Sequence, residues 1–224
     1  MKIYDELYNF LSELPEVSIS QNTKLSDLEN LKNGVYKINQ CLPISLFEEL
    51  PYFNNSSGEI GIILVDNNWL LVISSYSGIA LPFELFMYLE KGAVQFYAHT
   101  HPNDGKFNNT DTPSVGDFGA RDIEGLTYII SKEGFSEINV SQLTPDQIKY
   151  IQECEIQYDG KIDSNDYLIF LNTLYDKIGL QRRTISFKDK KQIIDIIAKK
   201  VNLATPFWNN DTSTLKIPFP GRSK

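Results

Sequence analysis

A chain of 224 residues, 42% apolar and 12% aromatic, is long enough to bury a sizeable core and too apolar to be a disordered type. Charged residues make up 22% and the net charge is −8, which excludes the clustered basic surface that a nucleic-acid partner needs. Only Cys41 and Cys154 are present, neither at metal spacing from another Cys or a His, so two reduced buried thiols are expected, with one long-range disulfide the less favoured alternative.

No stretch has transmembrane length and residues 1–5 do not read as a signal peptide. The expectation is a cytoplasmic chain with no membrane partner; export by a route that reads no N-terminal signal stays open. Nothing in the residues sets an oligomeric state.

In chain order, residues 4–14 carry Tyr4, Leu7, Tyr8, Leu11 and Leu14 at helical spacing. Residues 22–33 form a second short helix stopped at Asn33-Gly34, and 35–38 a short strand. Pro43 and Pro51 bracket a helical turn over 44–50, and 54–58 is a loop rich in Asn, Ser and Gly. Strands 59–65 and 69–75, joined by a turn at 66–68, make a hairpin. Helix 82–90 starts with Pro82 at its first position, and Gly92 ends it ahead of a strand over 93–99.

Beyond the strand, 118–123 is a short helix with Asp117 at its start, and 126–130 with 136–140 is another hairpin. Thr144, Pro145 and Gln147 spell a capping box for a helix to about residue 154. Ser164 caps a helix to 178, terminated by Gly179. A last helix covers 187–203, with Ile193, Ile194, Ile197 and Val201 on one face; in the tail only 215–217 pairs with anything. The order of elements is that of an α/β sandwich around a mostly antiparallel or mixed sheet. Trp69, Tyr76 and Tyr97 read as core or rim aromatics.

The chain's only histidines, His99 and His101, stand one residue apart at the end of the strand over 93–99. Residues i and i+2 of a strand face the same side, so both imidazoles address one point in space. Two imidazoles and a carboxylate are a ligand set for a divalent cation such as zinc, with a fourth position open to water. Asp117, in Ser114-Val115-Gly116-Asp117, is the favoured third ligand; Asp111 and Asp104, closer along the chain but inside the loop, are the weaker rivals. Thr100, between the histidines, points to the opposite face. Ser114 reads as a turn or helix cap.

The residues His99-Thr100-His101-Pro102, a spacer, then Ser114 and Asp117 resemble the JAMM motif of the JAB/MPN zinc metalloprotease superfamily. The resemblance covers roughly residues 58–139 and departs at the spacer 103–113, which is longer than the family's and looks like a loop insertion. It implies a JAB/MPN-like (cytidine-deaminase-like) sandwich over 58–140, with an N-terminal extension over 1–57 and a C-terminal helical extension with a loop-rich tail over 141–224. It implies Zn2+ on His99, His101 and Asp117, Ser114 as a donor to the oxyanion, and a Glu that moves protons at the start of the first hairpin strand. Glu59 occupies that place; Glu48, Glu49, Glu84 and Glu90 compete with it.

The function so implied is a zinc-dependent metallopeptidase or isopeptidase. Its partner would be a protein or peptide substrate such as the Gly-rich end of a ubiquitin-like modifier, with a protease of a toxin or defence system an equal alternative. A non-catalytic MPN-like scaffold or partner-binding module is the competing reading from another class. A metal-dependent nuclease is disfavoured by the acidic charge.

Overall fold

The computed structural model describes residues 2–20, 23–39, 42–53, 58–74, 79, 81–101, 110–158, 163–200 and 214–215. The chain opens with helix α1 (Lys2–Glu13), which buries Leu7 and Leu11 as helical spacing predicts, but leaves Tyr8, expected on the same face, exposed at its edge. Strand β1 (Glu16–Val17), helix α2 (Leu25–Glu29) and strand β2 (Gly34–Ile38) follow. The helix expected over 22–33 is thus one short piece, ended at Asn30. Strand β3 (Leu42–Pro43) leads into helix α3 (Ile44–Glu49) and a 3-10 turn (Leu50–Tyr52) that accommodates Pro51.

Strands β4 (Ile60–Val65) and β5 (Asn68–Ile73) pair from end to end as the expected hairpin. Their turn is just Asp66-Asn67, both in the left-handed region at φ 47° and 59°. Asp and Asn tolerate that region best among residues with a Cβ, and two such residues match the twist of a tight hairpin. Helix α4 (Phe83–Glu90) has Pro82 just outside as its N-cap, not in the first turn. Strand β6 (Phe96–Thr100) begins later than expected because Val94 makes only an isolated parallel bridge to Asp122.

After a 3-10 turn (Val115–Phe118), the helix expected over 118–123 is absent. Gly119 caps the 3-10 turn, and the Asp122 carboxylate accepts the N–H groups of Glu124 (2.8 Å) and Leu126 (3.0 Å), closing a tight turn instead. Strands β7 (Leu126–Ile130) and β8 (Phe135–Asn139) form the second hairpin.

Helix α5 (Pro145–Tyr158) starts with the reciprocal box: Gln147 N–H donates to Thr144 Oγ1 (3.2 Å) and Thr144 N–H to Gln147 Oε1 (2.8 Å). It runs a turn beyond the expected end. Helix α6 (Ser164–Ile178) is capped by Asp163, whose carboxylate accepts Asn165 N–H at 2.8 Å, so Ser164 lies inside the helix. Gly179 closes it in the left-handed conformation at φ 75°.

Strand β9 (Gln181–Ile185) was not anticipated; its Gln-Arg-Arg-Thr-Ile lacks the apolar alternation that marks a strand. Helix α7 (Lys190–Lys200) and strand β10 (Thr214–Leu215) complete the described chain, β10 pairing antiparallel with β3. Cys41, Tyr76, Asp104, the loop 54–57 and the end of the helix expected over 187–203 lie outside the described residues; Cys154 is a buried free thiol.

The protein is α/β; among the described residues eight strands form one mixed sheet in the order β1-β2-β5-β4-β6-β7-β8-β9. Pairings β1–β2 and β6–β7 are parallel and the rest antiparallel. The sheet draws β1 and β2 from before residue 58 and β9 from after residue 140.

One face is a continuous core in which Ile60, Ile62, Phe96, Ala98, Tyr128 and Ile130 pack with α3 and α7, and Trp69 joins it. The other face carries two separate clusters. Val65, Ile63 and Tyr97 pack under α1 and α4, whereas Ile129 and Ile138 pack under α5 and α6. His99 and His101 belong to this second face, in the seam between those clusters. Among the described residues no helix is long and apolar enough to cross a membrane.

Candidate metal centre

Strand β6 lies between antiparallel β4 and parallel β7, with His99 paired to Gly61 on one side and Ile129 on the other. Tyr97, His99 and His101 alternate onto the seam face. Tyr97 stacks on the His99 ring at a centroid distance of 5.1 Å, fixing its plane, and the two imidazoles stand 5.2 Å apart at 61°. Gly61, opposite His99, leaves room for Ile79: a Cβ there would come within 2.6 Å of Ile79 Cδ1. Thr100 does point to the other face, where its Oγ1 accepts Ile60 N–H at 3.0 Å and ties the start of β4 to β6.

The 3-10 turn brings Asp117 to the histidines. Its Oδ1 lies 2.9 Å from His99 Nε2 and its Oδ2 3.2 Å from His101 Nε2, and all three side chains are buried. The ligand atoms of His99, His101 and Asp117 lie within 4.8 Å of one another, so this group can hold a metal ion. Ser114 N–H donates to Asp117 Oδ2 at 2.6 Å, which sets the carboxylate's rotation; Ser114 is the N-cap residue of the turn.

The hydrogen-bond inventory of the group is incomplete in a telling way. His101 Nδ1 lies 3.1 Å from the carbonyl of Thr110. A carbonyl only accepts, so Nδ1 carries the proton, and in the neutral ring Nε2 is a bare lone pair. That lone pair faces the Asp117 carboxylate. Two acceptors face each other, an arrangement that calls for a cation between them, either an added proton or a metal. His99 repeats the pattern: its 2.9 Å approach to Asp117 lacks hydrogen-bond alignment, and neither of its ring nitrogens has a hydrogen-bond partner among the described residues. Buried polar atoms are seldom left unpaired without a reason.

Glu59 stands immediately before β4 and is 8% exposed. Counting by twos from Gly61, it shares the histidines' face, across from His101. Burial is the main influence on its carboxyl and raises the pKa; His99 and His101 pull it down, and Asp117 adds to the rise. Burial also opposes ionisation of Asp117, but His99 and His101 outweigh it and hold that carboxyl well below the ordinary carboxylate range. At His99, burial works to lower the pKa, and Asp117 and Glu59 outweigh it to leave it raised. Two nearby carboxyls are thus pushed in opposite directions, one toward the neutral acid and one toward the anion.

Of the residues singled out from sequence, His99, His101, Asp117 and Glu59 come together, with Ser114 at the edge of the turn. The rivals are engaged elsewhere. Asp111 Oδ2 accepts hydrogen bonds from Ser136 Oγ (3.3 Å) and Thr184 Oγ1 (2.5 Å), Glu48 pairs with Lys190, and Glu49 accepts Leu25 N–H. Glu84 and Glu90 are on α4, Glu90 exposed. Pro102 and Asp104 lie outside the described residues. Sequence reasoning missed Thr110, for which no local signal exists, and the stacking role of Tyr97, which its period-two spacing from His99 could have revealed.

Comparison with family models, with curated proteins and with solved structures finds no match.

Proposed function

We propose that this chain is a zinc-dependent metallopeptidase or isopeptidase of the JAB/MPN type, hydrolysing an amide bond in a protein or peptide. The observation that carries the reading is the buried convergence of two imidazoles and a carboxylate, with the ring nitrogens of His99 lacking a hydrogen-bond partner among the described residues, flanked by a second carboxyl whose pKa is raised. His99, His101 and Asp117 would hold the ion. A bound zinc ion lowers the pKa of its water to about 7 and polarises a carbonyl.

Glu59 then has the placement of a general base and acid: it accepts the proton of the attacking water and returns it to the leaving amine. Its raised pKa suits both halves of that cycle, because an ordinary carboxylate is too weak a base for the first. Ser114, beside the ligand carboxylate, is the candidate donor to the oxyanion of the tetrahedral intermediate. The motif resemblance extends the substrate to the carboxyl end of a ubiquitin-like modifier joined to a lysine amine.

Metal analysis of the wild type beside His99→Ala and Asp117→Ala, with circular dichroism to check the fold, tests this. The expected result is stoichiometric metal in the wild type, its loss in both folded variants, and hydrolysis of an isopeptide-linked substrate by the wild type alone. Metal retained by both variants would remove the basis of the reading.

A further inference from the structure

Asp117 reaches the histidines on a strap, residues 110–118, that the body of the protein holds at successive positions. Thr110 receives His101 Nδ1–H, and Asp111 is gripped by Ser136 and Thr184 of β8 and β9. Asn172 of α6 bonds Thr112 Oγ1 at 3.1 Å, and Glu155 of α5 accepts Val115 N–H at 3.0 Å. At the centre, Tyr175 of α6 donates its hydroxyl hydrogen to the Pro113 carbonyl at 2.6 Å.

Tyr175 is fully buried, and its ring meets Phe118 edge-on at 5.7 Å. It therefore touches the strap on both sides of Asp117: the hydroxyl four residues before the ligand, the ring at the residue after it. Burial raises its pKa far above the ordinary phenol value, so the hydroxyl keeps its proton and remains a donor.

We propose that Tyr175 is a positioning residue for the metal centre, holding the strap so that the Asp117 carboxylate is in place before the ion arrives. A strap released at Pro113 spends part of its time with Asp117 displaced, and apparent affinity falls by the fraction of chains that stay competent. The proposal rests on the reading of His99, His101 and Asp117 as a metal site. It also gives the helices after residue 140 a part in that site, since α5 and α6 supply three of the anchors.

The test compares zinc dissociation constants, by competition with a chromophoric chelator, for wild type, Tyr175→Phe, Thr184→Val and Thr173→Val. The cobalt-substituted absorption spectrum reports ligand geometry in each. Tyr175→Phe keeps the ring and removes only the hydroxyl; the expected result is metal binding weakened about threefold to tenfold, the equivalent of one neutral hydrogen bond, with an altered cobalt spectrum. Thr184→Val, on the exposed strand β9, removes an anchor without disturbing the core and weakens binding to a lesser degree, so the proposal stays testable should Tyr175→Phe not fold. Thr173 bonds only within its own helix, to the Ile169 carbonyl, and Thr173→Val leaves affinity unchanged.

Wild-type affinity in a folded Tyr175→Phe, or in Thr184→Val should Tyr175→Phe not fold, overturns the proposal and leaves the metal site standing. An equal loss in Thr173→Val overturns it too, by tracing the effect to general destabilisation. A wild type that binds neither zinc nor cobalt refutes the site itself, and the positioning role with it.

Discussion

Asp117 and Asp122 stand five residues apart in the chain, both buried, and their surroundings answer opposite needs. Asp122 faces backbone donors and a full cation, although its Oδ2, like the His99 nitrogens, has no aligned hydrogen bond among the described residues. Its Oδ1 accepts two backbone N–H groups, and its Oδ2 meets the buried ammonium of Lys200 at 2.7 Å, with Glu124 as a second acceptor for that lysine. The pair pins the end of α7 to the turn before β7, and nothing about it asks for a ligand. Asp117 instead faces two imidazole nitrogens, one a lone pair by its tautomer and one without a hydrogen-bond partner. Burial of a carboxylate is therefore no sign of function; the missing proton is.

The largest expected difference separates the two directly. If the chain is the metal-dependent amide hydrolase proposed, Asp117→Ala lowers its rate by at least about a thousandfold, because the chemistry an ion would supply goes with the ligand. Lys200→Met leaves metal content and rate per folded molecule at wild-type values, but removes about 3–5 kcal/mol of stability in denaturant titration by stranding the Asp122 charge. The contrast breaks if Lys200→Met loses metal, or if Asp117→Ala keeps its activity.

Glu59→Gln sharpens the contrast within the site. It retains the carboxyl's shape and the metal but not the proton transfer, and turnover falls about 10²- to 10⁴-fold with metal stoichiometry unchanged. Loss of metal in this variant would make Glu59 a ligand instead.

The smallest effect is on pH dependence. Because Asp117 and Glu59 outweigh burial and raise the His99 pKa, an ion must displace a proton from that ring. Metal affinity then rises by about tenfold per pH unit until the pH passes the raised His99 value. Stability of the metal-free chain runs the other way. The contribution from protonated His99 is fully present below the ordinary imidazole value of 6.5 and is lost as pH climbs through the raised one. Chelator competition and thermal melts across pH 5–8, roughly the window that imidazole titration spans, read both slopes; parallel slopes would contradict the assignment.

Local features of the chain were enough to find most of this. The period-two step from His99 to His101, the hairpin turn at Asp66-Asn67, and the capping box at Thr144 and Gln147 each depend on residues a few positions apart, whose backbone preferences act within one turn or one strand. The same holds for Asp117 at its 3-10 turn, since Ser114 N–H reaches its carboxylate across three residues. The missing helix after residue 118 and the polar strand β9 were misjudged because long-range partners overrode weak local preference: the bridge from Val94 to Asp122 in one case and the β8 edge in the other.

Only the folded chain could decide which carboxyls meet the histidines. Distance along the chain would favour Asp111 and the motif favours Asp117; the choice falls to β8 and β9, which hold Asp111 through Ser136 and Thr184 and leave Asp117 facing the imidazoles. Glu59 likewise joins them through the register that places Gly61 opposite His99. Residue type and spacing determine what a side chain can bind. Which of several like groups arrives is determined by contacts between segments far apart in the chain, whose energies no short stretch contains.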